Sequence, residues 1–330
     1  MDLRPAATVP LLALWLAGCA AASVATPSAP PVPVPSAAED VRLASIPQQM
    51  VKRMPATDGH PPILYAVGWA EPIPLPGLVN TAGAEDSPFL TPDGRQLFFF
   101  FTPDLHVPPE QQLTDGVSGI YLSTMGADGW GLPRRVVLQD RGQPSLDGCP
   151  TLLGDLLWFC SARPGNYRGV DLWTARLRDG AWEGWENAGQ QLNADYAAGE
   201  MHPTADGSAM VFHRADPVTQ DRDLWWTERS GQVWTEPRSL AAVNTTADEG
   251  WPYLSLDGQE LWFTRIHQGA PGVFRSVWGP SGWSTPELIV WPFAGEPTLD
   301  AAGNLVFVHH FLEQDRLIEA DLYVAYRLTD

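Results

Sequence analysis

The sequence predicts an all-β fold, a five-bladed β-propeller of four-stranded antiparallel blades, and two recurrences predict it. The first is a phrase of carboxylate, lead proline, short strand, tight turn and second strand. It occurs five times, with lead prolines 45 to 62 residues apart at Pro88, Pro150, Pro203, Pro252 and Pro297. The second is a Gly-x-Trp-x-x-Pro-like phrase around Trp69, Trp130, Trp182, Trp234 and Trp283. Strand repeats of this length are typical of propeller blades.

The fourth repeat shows the pattern of one blade most clearly. Residues 249–255 form the predicted inner strand, Asp257-Gly258 supplies a turn that tolerates positive φ, and residues 260–264 form the partner strand. The third strand is predicted over residues 273–278 and the fourth over residues 283–290. Large apolar residues recur at equivalent places in all five repeats, where they are expected to fill the space between neighbouring blades.

The two ends of the repeat region predict that the ring closes. The last repeat stops one strand short of a full blade, after Arg327. Residues 67–75 match the outer-strand phrase of residues 233–240 but have no inner strands before them. Pairing this N-terminal strand with the last three strands would complete the fifth blade and remove exposed sheet edges. The predicted propeller therefore spans residues 63–330.

The first 62 residues predict export and tethering rather than a second domain. Residues 1–19 contain an apolar run too short to span a bilayer, which indicates a signal peptide. Its ending, Leu16-Ala-Gly-Cys19, resembles a bacterial lipobox, which would make Cys19 the lipidated first residue of the mature chain. Ala20 resembles the sorting signal of outer-membrane rather than inner-membrane lipoproteins. Residues 20–62, rich in Pro and Ala at first and without periodicity throughout, are predicted to be a disordered tether.

Charge and cysteine content narrow the function further. The formal net charge of −19 argues against nucleic acid and against anionic lipid as partners of the domain, so contact with the membrane is expected only through the lipid anchor. Cys149 and Cys160 face each other if the second hairpin turns at Gly154-Asp155. An exported destination favours a disulfide between them, and two buried free thiols are the alternative.

The repeat phrase also carries a family resemblance. Asn-Thr, an acid, Pro-x-Leu-Ser-x-Asp-Gly-x-x-Leu-x-Phe, then Asp-Leu-Trp or Asp-Leu-Tyr and Gly-x-Trp-x-x-Pro together resemble the TolB-like, WD-repeat-like propeller repeats of bacterial envelope proteins. The resemblance covers residues 65–328. It implies a binding or scaffold module, without an enzymatic activity, on the periplasmic side of the outer membrane. A monomer that binds an envelope protein or a glycan is expected.

The residues most open to a chemical role are the acids beside the lead prolines. Because each lies at the start of a predicted inner strand, ring closure would gather them at one mouth of the central channel. Like charges held so close raise one another's pKa or recruit a cation. The acids are expected to be structural, to accept backbone N–H groups, or to hold a cation such as Ca²⁺ with His202; no other cofactor is expected. The candidates are Glu85, Asp86, Asp147, Glu200, Glu249 and Glu296.

A glycan-active propeller is the alternative function. Five-bladed hydrolases that resemble arabinanases and invertases place catalytic acids at the starts of inner strands, and glycoside cleavage needs one protonated and one ionised carboxyl group. Asp147, Glu200 and Glu249 would be the catalytic candidates. Against this alternative, every repeat carries an acid, which is typical of a repeat feature rather than of a catalytic pair.

Overall fold

A computed structural model describes residues 40–216 and 218–328 as an all-β structure. The predicted signal peptide, the lipidation of Cys19 and the first half of the predicted tether lie outside these residues. The segment before the repeats contains a short α-helix, α1 (Val41–Ser45), a 3₁₀ turn (Pro55–Thr57) and two short strands, β1 (Ile63–Leu64) and β2 (Ile73–Pro74). No helix in the two described ranges is long and apolar enough to cross a membrane.

The repeats then form five successive antiparallel meanders in the described ranges. The first contains β3 (Ala84–Leu90), β4 (Gln96–Thr102), α2 (Pro109–Gln112), β5 (Gly119–Gly126), β6 (Gly129–Trp130) and β7 (Arg134–Arg135). The second contains β8 (Leu146–Leu153), β9 (Leu156–Ala162), β10 (Asp171–Arg178) and β11 (Ala181–Asn187). A π-helical turn (Gln191–Asp195) precedes the third meander. The third contains β12 (Met201–Pro203), β13 (Ala209–Ala215), β14 (Arg222–Ser230), β15 (Val233–Trp234) and β16 (Arg238–Ser239).

The last two meanders follow the same order. The fourth contains β17 (Glu249–Leu254), β18 (Glu260–His267), β19 (Ala270–Gly279), β20 (Gly282–Trp283) and β21 (Glu287–Trp291), close to the strands expected from the fourth repeat. The fifth contains only β22 (Ala294–Leu299), β23 (Leu305–Glu313) and β24 (Arg316–Ala325). Its outer strand comes from the other end of the chain, since β2 pairs antiparallel with β24 and Trp69 bridges Arg327. The predicted pairing of the two ends is confirmed.

The cores lie between consecutive meanders. The described residues contain five buried apolar clusters. Four of them join consecutive meanders from the first to the fifth, and one joins the fifth meander to the first. The inner strands also touch in sequence, from β3 to β8, β12, β17 and β22, and β22 contacts β3 again. No hydrogen-bonded sheet in these ranges closes on itself, and a single parallel bridge links β24 to β3. The repeated apolar residues, such as Phe159, Phe212 and Phe263, are fully buried as expected.

Cys149 and Cys160 form a disulfide, with Cα atoms 5.3 Å apart, but not in the predicted register. Thr151 faces Trp158 as a turn at Gly154-Asp155 requires, and the register then shifts so that Gly148, not Cys149, faces Cys160. The shift is a bulge in which Cys149 adopts φ 51°. The bond therefore joins the bulged residue to the neighbouring strand.

Removing this cross-link should lower stability without changing the fold. Closing a short loop with a disulfide typically stabilises a protein by about 2–4 kcal/mol. The free energy of unfolding of the double variant Cys149→Ala/Cys160→Ala should be lower by that amount, and its urea midpoint should be lower accordingly. A reducing agent should lower the midpoint of the native protein to a similar degree and leave the double variant unchanged. Equal midpoints for the native and double-variant proteins would contradict the bond.

Candidate functional site

The start of each inner strand is shaped by the residue before the lead proline. In four of the five strands this residue has a left-handed backbone, and the ladder register shifts around it. The four residues, none of them glycine, are Ser87, Cys149, Trp251 and Glu296, with φ between 47° and 56°. Such a bulge turns successive side chains to different directions. The six acids, expected together at one mouth of the central channel, fall into two groups of three that have different partners.

Glu249 shows the environment of the first group, here called the clamp acids (Glu85, Asp147 and Glu249). Its fully buried carboxylate accepts hydrogen bonds from the backbone N–H and hydroxyl of Thr245 at 3.2 and 2.6 Å. The Nε of Arg265 donates to the same carboxylate at 2.6 Å, and the guanidinium also donates to the carbonyl of Val243. Arg265 lies 4.7 Å from the ring of Phe274. Glu249 thus ties the inner strand to the loop that precedes it.

Asp147 has the same surroundings in the second meander. It accepts hydrogen bonds from the hydroxyls of Ser145 and Ser161, at 3.1 and 2.6 Å, and from Arg163. Arg163 also donates to the carbonyl of Leu138 in the preceding loop, at 2.9 Å. A carboxylate with this many donors and a buried ion pair is held in one orientation. The expectation of structural acids fits Asp147 and Glu249.

Glu85 is the third clamp acid, but its arginine comes from outside the repeats. Thr81 donates to Glu85 as Thr245 does to Glu249, and β4 offers Phe101 where β18 offers Arg265. The missing guanidinium is that of Arg42, which lies 3.4 Å from the Glu85 carboxylate and donates to the carbonyl of Val79 at 2.7 Å.

Arg42 is also enclosed as a blade arginine would be. It is fully buried, with its guanidinium carbon 5.4 Å from the ring centre of Phe101 and 5.7 Å from that of Tyr121. Asp40 binds it from the same segment at 2.8 Å. Burial raises the pKa of Glu85 to about 7, although Arg42 and Thr81 oppose this shift.

Residues 40–62 therefore differ from the disordered tether predicted for them, because polar contacts hold them against the meanders. Beyond Arg42, Lys52 forms ion pairs with Glu319 and Asp321 of β24. Asp58 accepts a hydrogen bond at 2.7 Å from the buried His309, and β1 pairs with β21. We call residues 40–62 the strap, because they cross from the first meander to the fifth; β1, which follows them, pairs with the fourth. Polar anchors with buried partners, rather than an apolar periodicity, hold them in place.

The second group, here called the central acids, consists of Asp86, Glu200 and Glu296. The backbone N–H of Ser87 donates both to Asp86 Oδ1 at 2.7 Å and to Glu296 Oε2 at 3.0 Å, which brings two carboxyl groups to one donor. No central acid has a salt-bridge partner among the described residues.

Their environment favours the protonated form of two of the central acids. Burial, followed by the negative charge of Asp86, raises the pKa of Glu200 to about 8. Burial and the charges of Asp86 and Glu200 raise the pKa of Glu296 well above its ordinary value. Buried like charges without a counter-ion resist ionisation. Glu200 and Glu296 consequently hold protons near neutral pH unless a cation replaces them.

Glu200 and Glu296 line a small cavity on the axis around which the inner strands lie. The cavity has a volume of about 40 Å³, and all five inner strands contribute to its wall. His202 lines it too, as predicted, between this cavity and a second, more apolar one of about 40 Å³. Both ring nitrogens of His202 are buried without a hydrogen-bond partner, and burial lowers the pKa of His202 to about 4. Aromatic residues complete the wall: Phe89, Trp251 and Tyr253.

A metal site finds no support in this arrangement. Within residues 40–216 and 218–328, no group of three or more His, Cys, Asp or Glu side chains has a geometry suited to a metal ion. Ca²⁺ takes six to eight oxygen ligands. The carboxylates of the clamp acids already bind arginines, which in Glu85 is Arg42 of the strap. The expected Ca²⁺ therefore stays a prediction without a ligand set in these ranges.

Comparisons with known proteins add similarity of fold only. No family model matches the chain, and no curated protein matches it. TolB from Acinetobacter baumannii is 13% identical, with a TM-score of 0.46, and the match covers 77% of this chain but only 56% of TolB. The endo-arabinase from Bacteroides thetaiotaomicron is 13% identical with a TM-score of 0.48, covering 78% of this chain and 97% of that one. The catalytic domain of the GH62 α-L-arabinofuranosidase from Coprinopsis cinerea is 11% identical with a TM-score of 0.49, covering 78% and 96%. No activity or ligand is transferred from them.

Proposed function

We propose that this chain is a five-bladed β-propeller lipoprotein of the bacterial envelope and that it acts as a binding module without an enzymatic activity. The five meanders and their consecutive contacts support the blade count. Residues 63–330 would form the propeller and lipidated Cys19 the anchor. We place the domain at the periplasmic side of the outer membrane, as a monomer.

The size of the central cavity is the observation that carries the non-enzymatic part of the proposal. Sites for small-molecule ligands usually measure about 300–1,000 Å³, whereas the cavity beside Glu200 measures about 40 Å³. Of the three catalytic candidates, Asp147 and Glu249 bind Arg163 and Arg265 instead of facing a cleft. A sugar ring between two free carboxyl groups, which glycoside cleavage requires, has no room there.

The binding face is expected to be the one around the acidic end of the axis. The long loop of residues 103–116, with the exposed His106, and the loop containing Tyr167 both follow second strands, so both lie at the end where the inner strands begin. Long loops on a rigid scaffold commonly carry binding residues. Leu256 lies in a turn at the opposite end, and its exposure of 52% equals that of Tyr167.

Site-specific photo-crosslinking in cells tests this proposal with a matched control. A photoreactive residue at position 167 should capture an envelope protein or glycan, and one at position 256 should capture nothing specific. A panel of glycans, including arabinan, should remain uncleaved by the purified protein. Glycan cleavage that Glu200→Gln or Glu249→Gln abolishes would overturn the proposal in favour of a glycan hydrolase.

A further inference from the structure

The central cavity combines two carboxyl groups and an unpartnered imidazole with walls that favour positive charge, although Ser87 donates hydrogen bonds to Glu296. Glu200 and Glu296 face it without an ion pair among the described residues, and His202 contributes a neutral imidazole with unpaired nitrogens. Its other walls are aromatic. Neither the repeat architecture nor the clamp explains these acids, because the clamp acids lie elsewhere and have their own partners.

We propose that the central cavity binds a primary alkylammonium group, carried by a lysine side chain of a partner protein or by a free amine. This inference rests on the proposed binding function and names the chemistry of its ligand. An ammonium group has three N–H donors and no acceptor. Glu200 and His202 at the start of β12, together with Glu296 in β22, supply three acceptors, which matches that number.

The aromatic wall distinguishes an alkylammonium from an inorganic cation. Phe89 is 5% exposed, Trp251 8% and Tyr253 6%, so their rings form a largely dry surface. Aromatic rings attract cations and also pack against methylene groups. A hydrated metal ion would gain little from this wall and would lack oxygen ligands. A cavity of about 40 Å³ admits an ammonium group with its first methylene and excludes a sugar ring.

Ligand binding should release protons. Glu200 holds its proton near neutral pH because it is buried beside Asp86 and Glu296, and an ammonium group that takes the proton's place makes ionisation favourable. The charged and titratable groups around Glu200 are Asp86, Glu296, His202, His213 and Arg222. Affinity should therefore rise from pH 6 to pH 8, a range in which an alkylammonium remains charged.

Calorimetric titration of the full chain with n-butylammonium chloride tests the proposal. Butylammonium should bind, whereas butan-1-ol, which lacks the charge, and tetramethylammonium, which lacks N–H donors, should bind at least tenfold more weakly. Nα-acetyl-lysine methylamide separates the two sources of the ligand. Binding of both probes indicates that a lysine side chain can enter, and binding of butylammonium alone indicates a free amine.

Variants locate the binding. Glu296→Gln and Glu200→Gln should each weaken butylammonium at least tenfold, and the exposed control Glu228→Gln should leave the affinity unchanged. Urea unfolding establishes that each variant is folded. If only one of the two central-acid variants folds, that variant alone is enough for the test. Absence of butylammonium binding at pH 8, an affinity in both central-acid variants equal to that of the native chain, or binding of CaCl₂ in place of butylammonium would overturn the inference. Crosslinking at position 167 would still report on the binding function separately.

Discussion

Replacing Arg42 by Met is expected to lower the free energy of unfolding by about 3–5 kcal/mol at pH 7.5, because it leaves buried polar groups without their partner. The guanidinium is fully buried and serves Glu85, Asp40 and the carbonyls of Leu78 and Val79 at once. Urea unfolding at constant pH measures the loss.

The matched control lies in the same strap. Arg53 pairs with Glu313 at 3.2 Å, but the side chains are 35% and 59% exposed. Exposed ion pairs contribute about 0–1 kcal/mol, so Arg53→Met should change stability little. Similar losses for both variants would show that the strap contributes through its apolar stems rather than through the buried guanidinium.

The loss in the Arg42 variant should also depend on pH. Without Arg42 the pKa of Glu85, already raised to about 7 by burial, rises further. The penalty of the substitution should therefore be smaller at pH 5, where Glu85 is protonated in either protein, and larger at pH 8. In the double variant Arg42→Met/Glu85→Gln this pH dependence should disappear, since the titrating group is gone.

The second large effect is a fall in the stability of the protein between about pH 6.5 and pH 8, above the range in which the lowered pKa values of His202, His213 and His310 oppose it. Glu200 has a pKa of about 8 in the folded chain and an ordinary value of 4.5 when exposed. In this window the folded state holds a proton that the unfolded state has released, so raising the pH favours unfolding. One such carboxyl changes the free energy of unfolding by on the order of 1 kcal/mol per pH unit. Glu296 acts in the same direction.

Glu200→Gln should flatten this slope and make the protein more stable than the native chain at pH 8. The measurement is the urea midpoint at each pH from 5 to 8, with Glu228→Gln as the control, because Glu228 is 54% exposed and lies in β14, outside the central cavity. Other raised carboxyls, such as Asp223 at about 6, remain in both proteins and cancel in the comparison. An unchanged slope in Glu200→Gln would show that Glu200 is ionised throughout.

Repeated local signals account for what the sequence predicted well. Asp257-Gly258 and its flanking alternation fixed a hairpin, and the outer-strand phrase around Trp69 without inner strands predicted the pairing with β24. These features depend on neighbours in the chain or on a whole phrase. Such features can therefore be predicted from the sequence without knowledge of distant contacts.

The arrangement of the acids depends on details that composition does not reveal. The left-handed residues at the bulges are Ser, Cys, Trp and Glu, none of which favours that conformation, so the four bulges had no local signal in the sequence. Arg42 was missed for a different reason. A single arginine in a segment without periodicity is ordinary, and its role follows only from the absence of an arginine opposite Glu85 in β4.

The strap also fixes an order of events for a chain that is made from its N-terminus. Lys52 pairs with Glu319 and Asp321, and β2 pairs with β24. These contacts of the earliest residues of the domain can form only after the last strand has been synthesised. Contacts of such long sequence separation slow folding. An incomplete chain therefore cannot form the finished domain, because β24 is needed for the contacts of Lys52 and β2.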